Sequence, residues 1–401
     1  MKKADIEING ITVTAGLNGT GKTTVGKSIF AIFNAFEGFP EKILNARKDS
    51  IQTVIDFVHD GYGVIENNLR LSQDISYIRR ILSYELMLLW LNEGDSKRRE
   101  DITEWLSRNI KFEKSENMEK ACDEILHILN RPDDDYIFFL LESYYRKVFR
   151  DQINHLSKNS TARFEWEIEN EQCYTEFSGN ELSGYTYTPS IHQKAVYIES
   201  QNVLDSYNER EETSVVSNEL FRLLDSRTSS QKTMEEYINA KEVKSIVRVI
   251  IDEVTHGTLK NEGAGTFTFY DQNMDHSVDI SNLSAGLKIF IVIQRLLENG
   301  SLRKGDILLI DEPEINLHPE WQVLFAEILV RMQKDLGIYI YINTHSPYFI
   351  HAIEVKMAEY ETADRGKYYL MEKDAEGLCY SVDVTGNTEK IYELLYKPLE
   401  I

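Results

Sequence analysis

Apolar and polar positions alternate over Asp5–Ile8 and again over Ile11–Thr14, on either side of Asn9-Gly10. A period of two is that of a strand, and Asn-Gly supplies the positive φ angles of a type I′ turn, so the spacing predicts a two-residue hairpin. A glycine-rich loop follows, and then the period lengthens. Val25, Ile29, Ile32, Phe33 and Phe36 recur at helical spacing, and Gly38-Phe39-Pro40 ends that helix.

From residue 46 to 158 the pattern is almost purely helical. Ile78, Ile81, Leu82, Leu86 and Leu89 form one amphipathic stripe; Met118, Cys122, Ile125 and Leu129 form a second. Leu140, Leu141, Tyr144, Tyr145, Val148 and Phe149 form a third. Heptads are not sustained, so a compact helical insert is expected and no long coiled-coil arm. Strands return at Phe164–Ile168, Cys173–Phe177 and Ala195–Ile198, followed by a helix over Met234–Val254. A hairpin is expected from Thr266–Tyr270 to His276–Ile280. The apolar runs Ile307–Ile310 and Ile338–Ile342 alternate with helices, which suits a mostly parallel sheet covered on both faces. The expected organisation is therefore one α/β domain, 1–45 and 159–401, interrupted by a helical insertion, 46–158.

Composition changes this picture little. The 401 residues are 42% hydrophobic and 27% charged, as in a folded globular protein, and the net charge of −22 argues against a surface dedicated wholly to nucleic acid. Cys122, Cys173 and Cys379 lie far apart with no C-x-x-C spacing and read as free thiols. No apolar run approaches the ~18 residues of a membrane span, and the first strand leaves no room for a signal peptide, so a cytoplasmic protein is expected.

Four motifs carry chemistry. Gly16-Leu17-Asn18-Gly19-Thr20-Gly21-Lys22-Thr23 fits G-x-x-x-x-G-K-[ST] between a strand and a helix, with Thr24 next in line. Glycines let backbone N–H groups turn toward phosphate oxygens, the helix start adds partial positive charge, Lys22 reaches the β/γ-phosphates, and Thr23 ligates Mg²⁺. Ile307-Leu308-Leu309-Ile310-Asp311-Glu312-Pro313 is an apolar strand ending in two acids. Asp311 there can hold Mg²⁺, and Glu312 beyond it can polarise the attacking water as general base. Leu283-Ser284-Ala285-Gly286-Leu287-Lys288 opens an apolar helix; on its own it reads as well as an ordinary Ser-capped helix as a second anion site. His345 in Thr344-His345-Ser346-Pro347 stands just past a strand end, where a lone histidine is ordinarily a surface or packing residue.

The order of these motifs resembles that of the ABC-type ATPases, and within them the RecF, structural-maintenance-of-chromosomes and OLD-like group. The run Asp311–Pro319, with its Asp-Glu-Pro-Glu and Leu-His-Pro, looks especially like the OLD-like branch. The resemblance covers roughly residues 1–45 and 190–350. It implies an ABC-type P-loop fold, ATP and Mg²⁺ as ligands, and a head-to-tail dimer. Ser284 and Gly286 would contact the partner's γ-phosphate, His345 would sense it, and Glu314–His318 would link the two sites. The family's metal- and water-contacting glutamine has one candidate, Gln201 after Ala195–Ile198, which reads equally as a solvated loop residue.

Many OLD-like proteins append a Toprim nuclease. The stretch after Ser346 is too short for it and holds no D-x-D, and Asp133-Asp134-Asp135 reads as a solvated helix start, so no Toprim activity is expected. Arg150-Asp151-Gln152-Ile153-Asn154-His155 resembles the R-x4-H motif of HEPN ribonucleases, with a salt-bridged helix face as the alternative. Three functional readings follow. The first is a switch or motor subunit for a separate effector such as a nuclease, as in the anti-phage systems Septu and PARIS that the chain resembles. The second is a DNA-repair or chromosome-type clamp using the basic clusters Arg79-Arg80, Lys97-Arg98-Arg99 and Arg146-Lys147, each of which also suits a solvated helix face. The third is an ATP-gated ribonuclease.

Overall fold

The computed structural model describes residues 1–61, 63–65, 95–112, 115–155, 161–168, 171–186, 193–207, 213–225, 240–261, 267–272 and 276–397. By internal contacts the chain divides into two compact units, Met1–Glu37 with Tyr145–Ile401, and Gly38–Tyr144. The sequence placed these divisions at 45/46 and 158/159.

Along the chain, β1 (Ile11–Ala15) leads into α1 (Lys22–Phe36) and α2 (Phe39–Gly61). Then come β2 (Gly63–Ile65), α3 (Asp95–Asn109), β3 (Ile110–Phe112), α4 (Ser115–Asn130) and α5 (Asp133–Phe149). Four strands follow: β4 (Ala162–Ile168), β5 (Glu171–Ser178), β6 (Glu181–Tyr185) and β7 (Ala195–Ile198). After α6 (Val215–Asp225) and α7 (Ala240–Ile250) stand β8 (Gly257–Asn261), β9 (Phe267–Asp271) and β10 (Ser277–Asp279). The last part runs α8 (Ala285–Glu298), β11 (Ile307–Asp311), α9 (Pro319–Leu336), β12 (Tyr339–Thr344) and α10 (Pro347–Glu359). It closes with β13 (Gly366–Lys373), β14 (Cys379–Asp383) and α11 (Glu389–Tyr396).

The larger unit is built on a six-stranded sheet of order β14-β13-β1-β12-β11-β7. Five strands are parallel, and only the β13–β14 pair is antiparallel. β1 and β11 are wholly buried and largely apolar, as a sheet covered on both faces requires. Phe290, Ile293 and Leu296 of α8, Phe325 and Leu329 of α9, and Phe349 and Ile353 of α10 join Ile11, Val13, Leu308, Ile310 and Ile342 in one core. Two antiparallel sheets, β4–β5–β6 and β8–β9–β10, complete this unit. The fold is thus α/β, mostly parallel with antiparallel hairpins.

In the smaller unit, Ile51 and Val54 of α2 pack with Ile102 and Leu106 of α3 and Cys122, Ile125 and Leu129 of α4. The buried Arg47 donates to the terminal carbonyls of α4, Ile128 at 3.0 Å and Leu129 at 2.8 Å, and reaches Asp133 at 2.5 Å. Free carbonyls at a helix end are a favourable place for a guanidinium. β2 and β3 pair antiparallel here, so the insertion is not purely helical. The stripe expected over Ile78–Leu89 lies outside the described residues.

Three further expectations are corrected. Asp5–Ile8 forms no strand, because both edges of β1 are taken: Ile11–Ala15 pairs with Ile340–Thr344 on one side and Gly366–Leu370 on the other. The N-terminal segment runs instead to β14, where Lys2 N donates to Cys379 O and Asp5 N to the Ser381 hydroxyl. The helix expected over Met234–Val254 is α7 with a π turn at Ile251–Thr255; residues 226–239 lie outside the described residues. Finally, α5 stops at Phe149, and Arg150 and Asp151 turn left-handed at φ 51° and 57°. Arg150 and His155 therefore share no helix face, and the salt-bridged helix face offered as the alternative to the R-x4-H motif is not formed. Cys122, Cys173 and Cys379 are all free, and no helix among the described residues is long and apolar enough to cross a membrane.

Candidate nucleotide site

The candidate residues of the glycine loop, Asp311, Glu312 and His345 gather at the carboxyl ends of β1, β11 and β12, three adjacent parallel strands. Ala15 delivers the chain into a loop whose Gly16, Gly19 and Gly21 adopt φ of 151°, 74° and 90°. Side chains rarely take these angles, and at Gly16 a Cβ would also stand 2.6 Å from Met371 O. The loop is held from within. Thr20 Oγ1 donates to Leu17 O at 2.8 Å, while the buried Lys22 Nζ donates to Gly16 O at 2.8 Å and Leu17 O at 3.0 Å. Burial pulls the Lys22 ammonium below its ordinary pKa, against the charges of Glu312, Asp311 and Glu314. Asn18, Thr23 and Thr24 are exposed. α1 begins at Gly21 with no side chain on its first N–H groups.

Asp311 ends β11 within hydrogen-bond reach of this loop's end. Its Oδ2 accepts from Thr23 Oγ1 at 2.8 Å and its Oδ1 from Asn343 Nδ2 at 2.5 Å. Burial raises the Asp311 pKa, and the donated bonds from Asn343 and Thr23 oppose the rise. Asn343 Nδ2 also donates to Lys22 O at 3.2 Å, and Thr14 Oγ1 donates to Asn343 Oδ1. One amide thus joins β1, β11, β12 and the first turn of α1. Close beside it, a Cβ on Gly26 would stand 2.8 Å from the Tyr197 hydroxyl, so α1 approaches β7 only because this residue is glycine.

Beyond Asp311 the backbone turns sharply. Glu312 takes φ 48°, a conformation unfavourable for a residue with a side chain, fixed by its N–H donating to Asn343 O at 2.7 Å. Its carboxylate reaches His345, with Oε1 3.2 Å from Nδ1. Glu314 is buried, and burial raises its pKa. Its Oε1 accepts from Thr344 Oγ1 at 2.6 Å and from His345 N at 3.3 Å, tying the β11 loop to the β12 loop.

Ser284 and Gly286 form a separate feature. Ser284 caps α8, its hydroxyl accepting from Leu287 N at 3.4 Å. Gly286 lies against the loop after β11: a Cβ there would stand 2.5 Å from Asn316 O. Among the described residues no hydrogen bond joins Ser284 or Gly286 to the glycine loop. Gln201 opens a 3-10 turn, Gln201–Ser206, just after β7. Its neighbour Glu199 pairs with Lys27 of α1 at 3.0 Å, which ties this turn's approach to the same helix.

The sequence therefore named Lys22, Thr23, Asp311, Glu312 and His345, which the fold brings together; it gave no role to Thr14 or Asn343 and placed Glu314 only in the segment linking the two sites. A signal for the first two existed: Thr14 and Asn343 are polar residues inside strands buried on both faces. Such residues need partners, and here they find each other.

Residues 160–351 match the family described as "AAA domain, putative AbiEii toxin, Type IV TA system". Among solved structures, the chain is similar to an SMC head bound to the C-winged helix domain of ScpA, at 11% identity over 97% of this chain and 94% of that one, with a TM-score of 0.42. The SMC head domain from Thermotoga maritima aligns at 12% identity over 56% of this chain and 73% of its own, with a TM-score of 0.30. An Smc head with an extended coiled coil, bound to the C-terminal domain of ScpA from Pyrococcus furiosus, aligns at 9% identity over 96% and 65%, with a TM-score of 0.24. Residues 160–351, which hold β7, β11 and β12 of the mostly parallel sheet, are thus the part of the chain that is similar to an AAA domain.

Proposed function

We propose that this chain is a magnesium-dependent ATPase that closes head to tail with a second copy and switches a separate effector. The observation that carries the reading is the 2.8 Å bond between Thr23 and Asp311, made across 288 residues at the foot of a loop closed by Lys22. A hydroxyl beside a buried carboxylate is a hard-oxygen pair suited to Mg²⁺, and three glycines at positive φ leave room for phosphates where a Cβ would intrude. Thr23 and Asp311 would hold the ion, which when bound neutralises charge on the phosphate oxygens.

Lys22 and the uncapped N–H groups of α1 bind and orient the phosphates. Glu312, aimed by its strained backbone, takes the proton of the attacking water. His345, hydrogen-bonded to Glu312, orients that carboxylate. Gln201, adjacent through the pairing of β7 with β11, is the candidate for a further contact to the metal and the water.

Head-to-tail pairing is supported by two features. Ser284 and Gly286 have no bond to their own glycine loop, as expected if they serve a partner's γ-phosphate. Three segments at the site's edge each expose a large apolar side chain: Leu17 of the glycine loop at 49%, Ile315 after β11 at 41% and Tyr348 in the first turn of α10 at 48%. Apolar groups around a polar site suit a surface that a second copy covers. The effector is taken to be a nuclease because the chain resembles ATPases of anti-phage systems. The clamp reading has less behind it: Arg99 is paired with Asp123 and Arg146 with Asp151, while Arg79-Arg80 and the side chains of Lys97 and Arg98 lie outside the described residues.

Light scattering of the Glu312→Gln protein tests the reading. With Mg·ATP it should accumulate as dimer while turnover falls roughly a hundredfold or more. A monomer at every ATP concentration, with turnover unchanged, would overturn both the base and the pairing.

A further inference from the structure

β13 outlasts β1 along the sheet. Their last paired residues are Ala15 and Leu370, so Met371, Glu372 and Lys373 continue beside the glycine loop. The contacts are close: Met371 O lies 2.6 Å from a Cβ built on Gly16, and Cys379 Sγ of β14 lies 3.6 Å from Gly19 O. At Gly19 a Cβ would meet one neighbour within 4 Å, the Lys373 ammonium, at 3.6 Å.

That ammonium has no ion pair or hydrogen bond among the described residues. The acids on either side of it are engaged elsewhere. Glu372 Oε2 accepts from the Tyr380 hydroxyl at 2.8 Å, and Asp374 pairs with Lys2 at 3.0 Å. In a chain with 66 acidic and 44 basic residues, a cation kept clear of carboxylates and poised over a phosphate-binding loop has an external anion as its natural partner.

We propose that Lys373 is a second ammonium contact to the polyphosphate of the bound nucleotide, supplied by the C-terminal hairpin. The proposal rests on the nucleotide-site reading above and adds to it a residue from a different strand. Lysine suits the role: a compact charge on a flexible stem can follow the phosphates without the fixed geometry of a guanidinium.

The test compares wild type, Lys373→Ala, Lys373→Arg and Lys22→Ala by calorimetric titration with Mg·ATP, and the first two also with AMP. Lys373→Ala should raise the Kd for ATP roughly tenfold, as for loss of one charge-assisted hydrogen bond. Its log Kd should depend less steeply on log salt than that of wild type. Lys373→Arg should stay within about threefold of wild type, since it keeps the charge. AMP affinity should not change, because AMP lacks the outer phosphates. Melting without nucleotide should be unaltered, the side chain being exposed and unpaired. If Lys373→Ala binds ATP like wild type while Lys22→Ala does not bind, the proposal falls and the site reading stands. Equal losses for ATP and AMP would overturn the phosphate contact. A wild-type chain that binds no ATP would sink the site reading itself.

Discussion

Two helices of this protein start where a phosphate could sit, and they start differently. α1 opens at Gly21, whose φ of 90° turns the chain into the helix with no side chain on the first N–H groups. α8 opens at Ser284, whose hydroxyl accepts from Leu287 N at 3.4 Å, near the outer limit of a hydrogen bond. The first helix start is open. The second is latched, but weakly, by a group that can itself donate to an anion. A loop that must take phosphate from solution leaves its N–H groups uncovered, whereas a surface that meets phosphate only when another molecule arrives covers them with a hydroxyl that is easily exchanged.

Substitutions at the two starts should therefore separate. The largest effect is expected at the open one. Lys22→Ala should weaken ATP binding at least about a hundredfold, since it removes a buried cation from the phosphate loop; titration with a fluorescent ATP analogue measures this, and retained affinity would erase the distinction between the helices. Gly286→Ala acts on the latched side. Its Cβ would meet Asn316 O at 2.5 Å, backbone that cannot step aside as a flexible side chain would. Destabilisation of about 1–3 kcal/mol is expected, with ATP still bound by the separate α1 site; denaturant melts with and without ATP check both halves. Ser284→Ala should cost least in folding, at most about 1 kcal/mol for a long capping bond, yet it should depress ATP-stimulated dimerisation. A variant that melts like wild type and dimerises like wild type would make Ser284 an ordinary cap.

How much of this was legible depended on whether a residue's partners lie near it in the chain. The glycine loop and the Asp311-Glu312 pair are written as local spacings and could be read directly. Asn343 could not. Its amide serves Asp311, Lys22 O and Thr14, three elements whose adjacency is a property of strand order. The tie from Glu314 to Thr344 escaped for the same reason, because only the alignment of β11 with β12 puts the two side by side. The N-terminal hairpin was misread from a sound local cue. Asn9-Gly10 does turn, with Gly10 at φ 57°, but a strand already paired on both sides has no edge left to fold back upon. Local sequence reports the wish to turn and says nothing about vacancy in the sheet. Arg150-to-His155 was misread in the opposite way: a helix face was expected on residues where the helix ends.

The place of β1 has a consequence for how the molecule is made. This early strand, which carries the glycine loop, is flanked by β12 and β13, both drawn from the last quarter of the sequence. On a ribosome the motif emerges long before its two lateral supports and the Asn343 amide. The nascent chain must carry β1 without its native neighbours until they emerge. The site around the glycine loop is then complete only when β12 and β13 close on either side of β1.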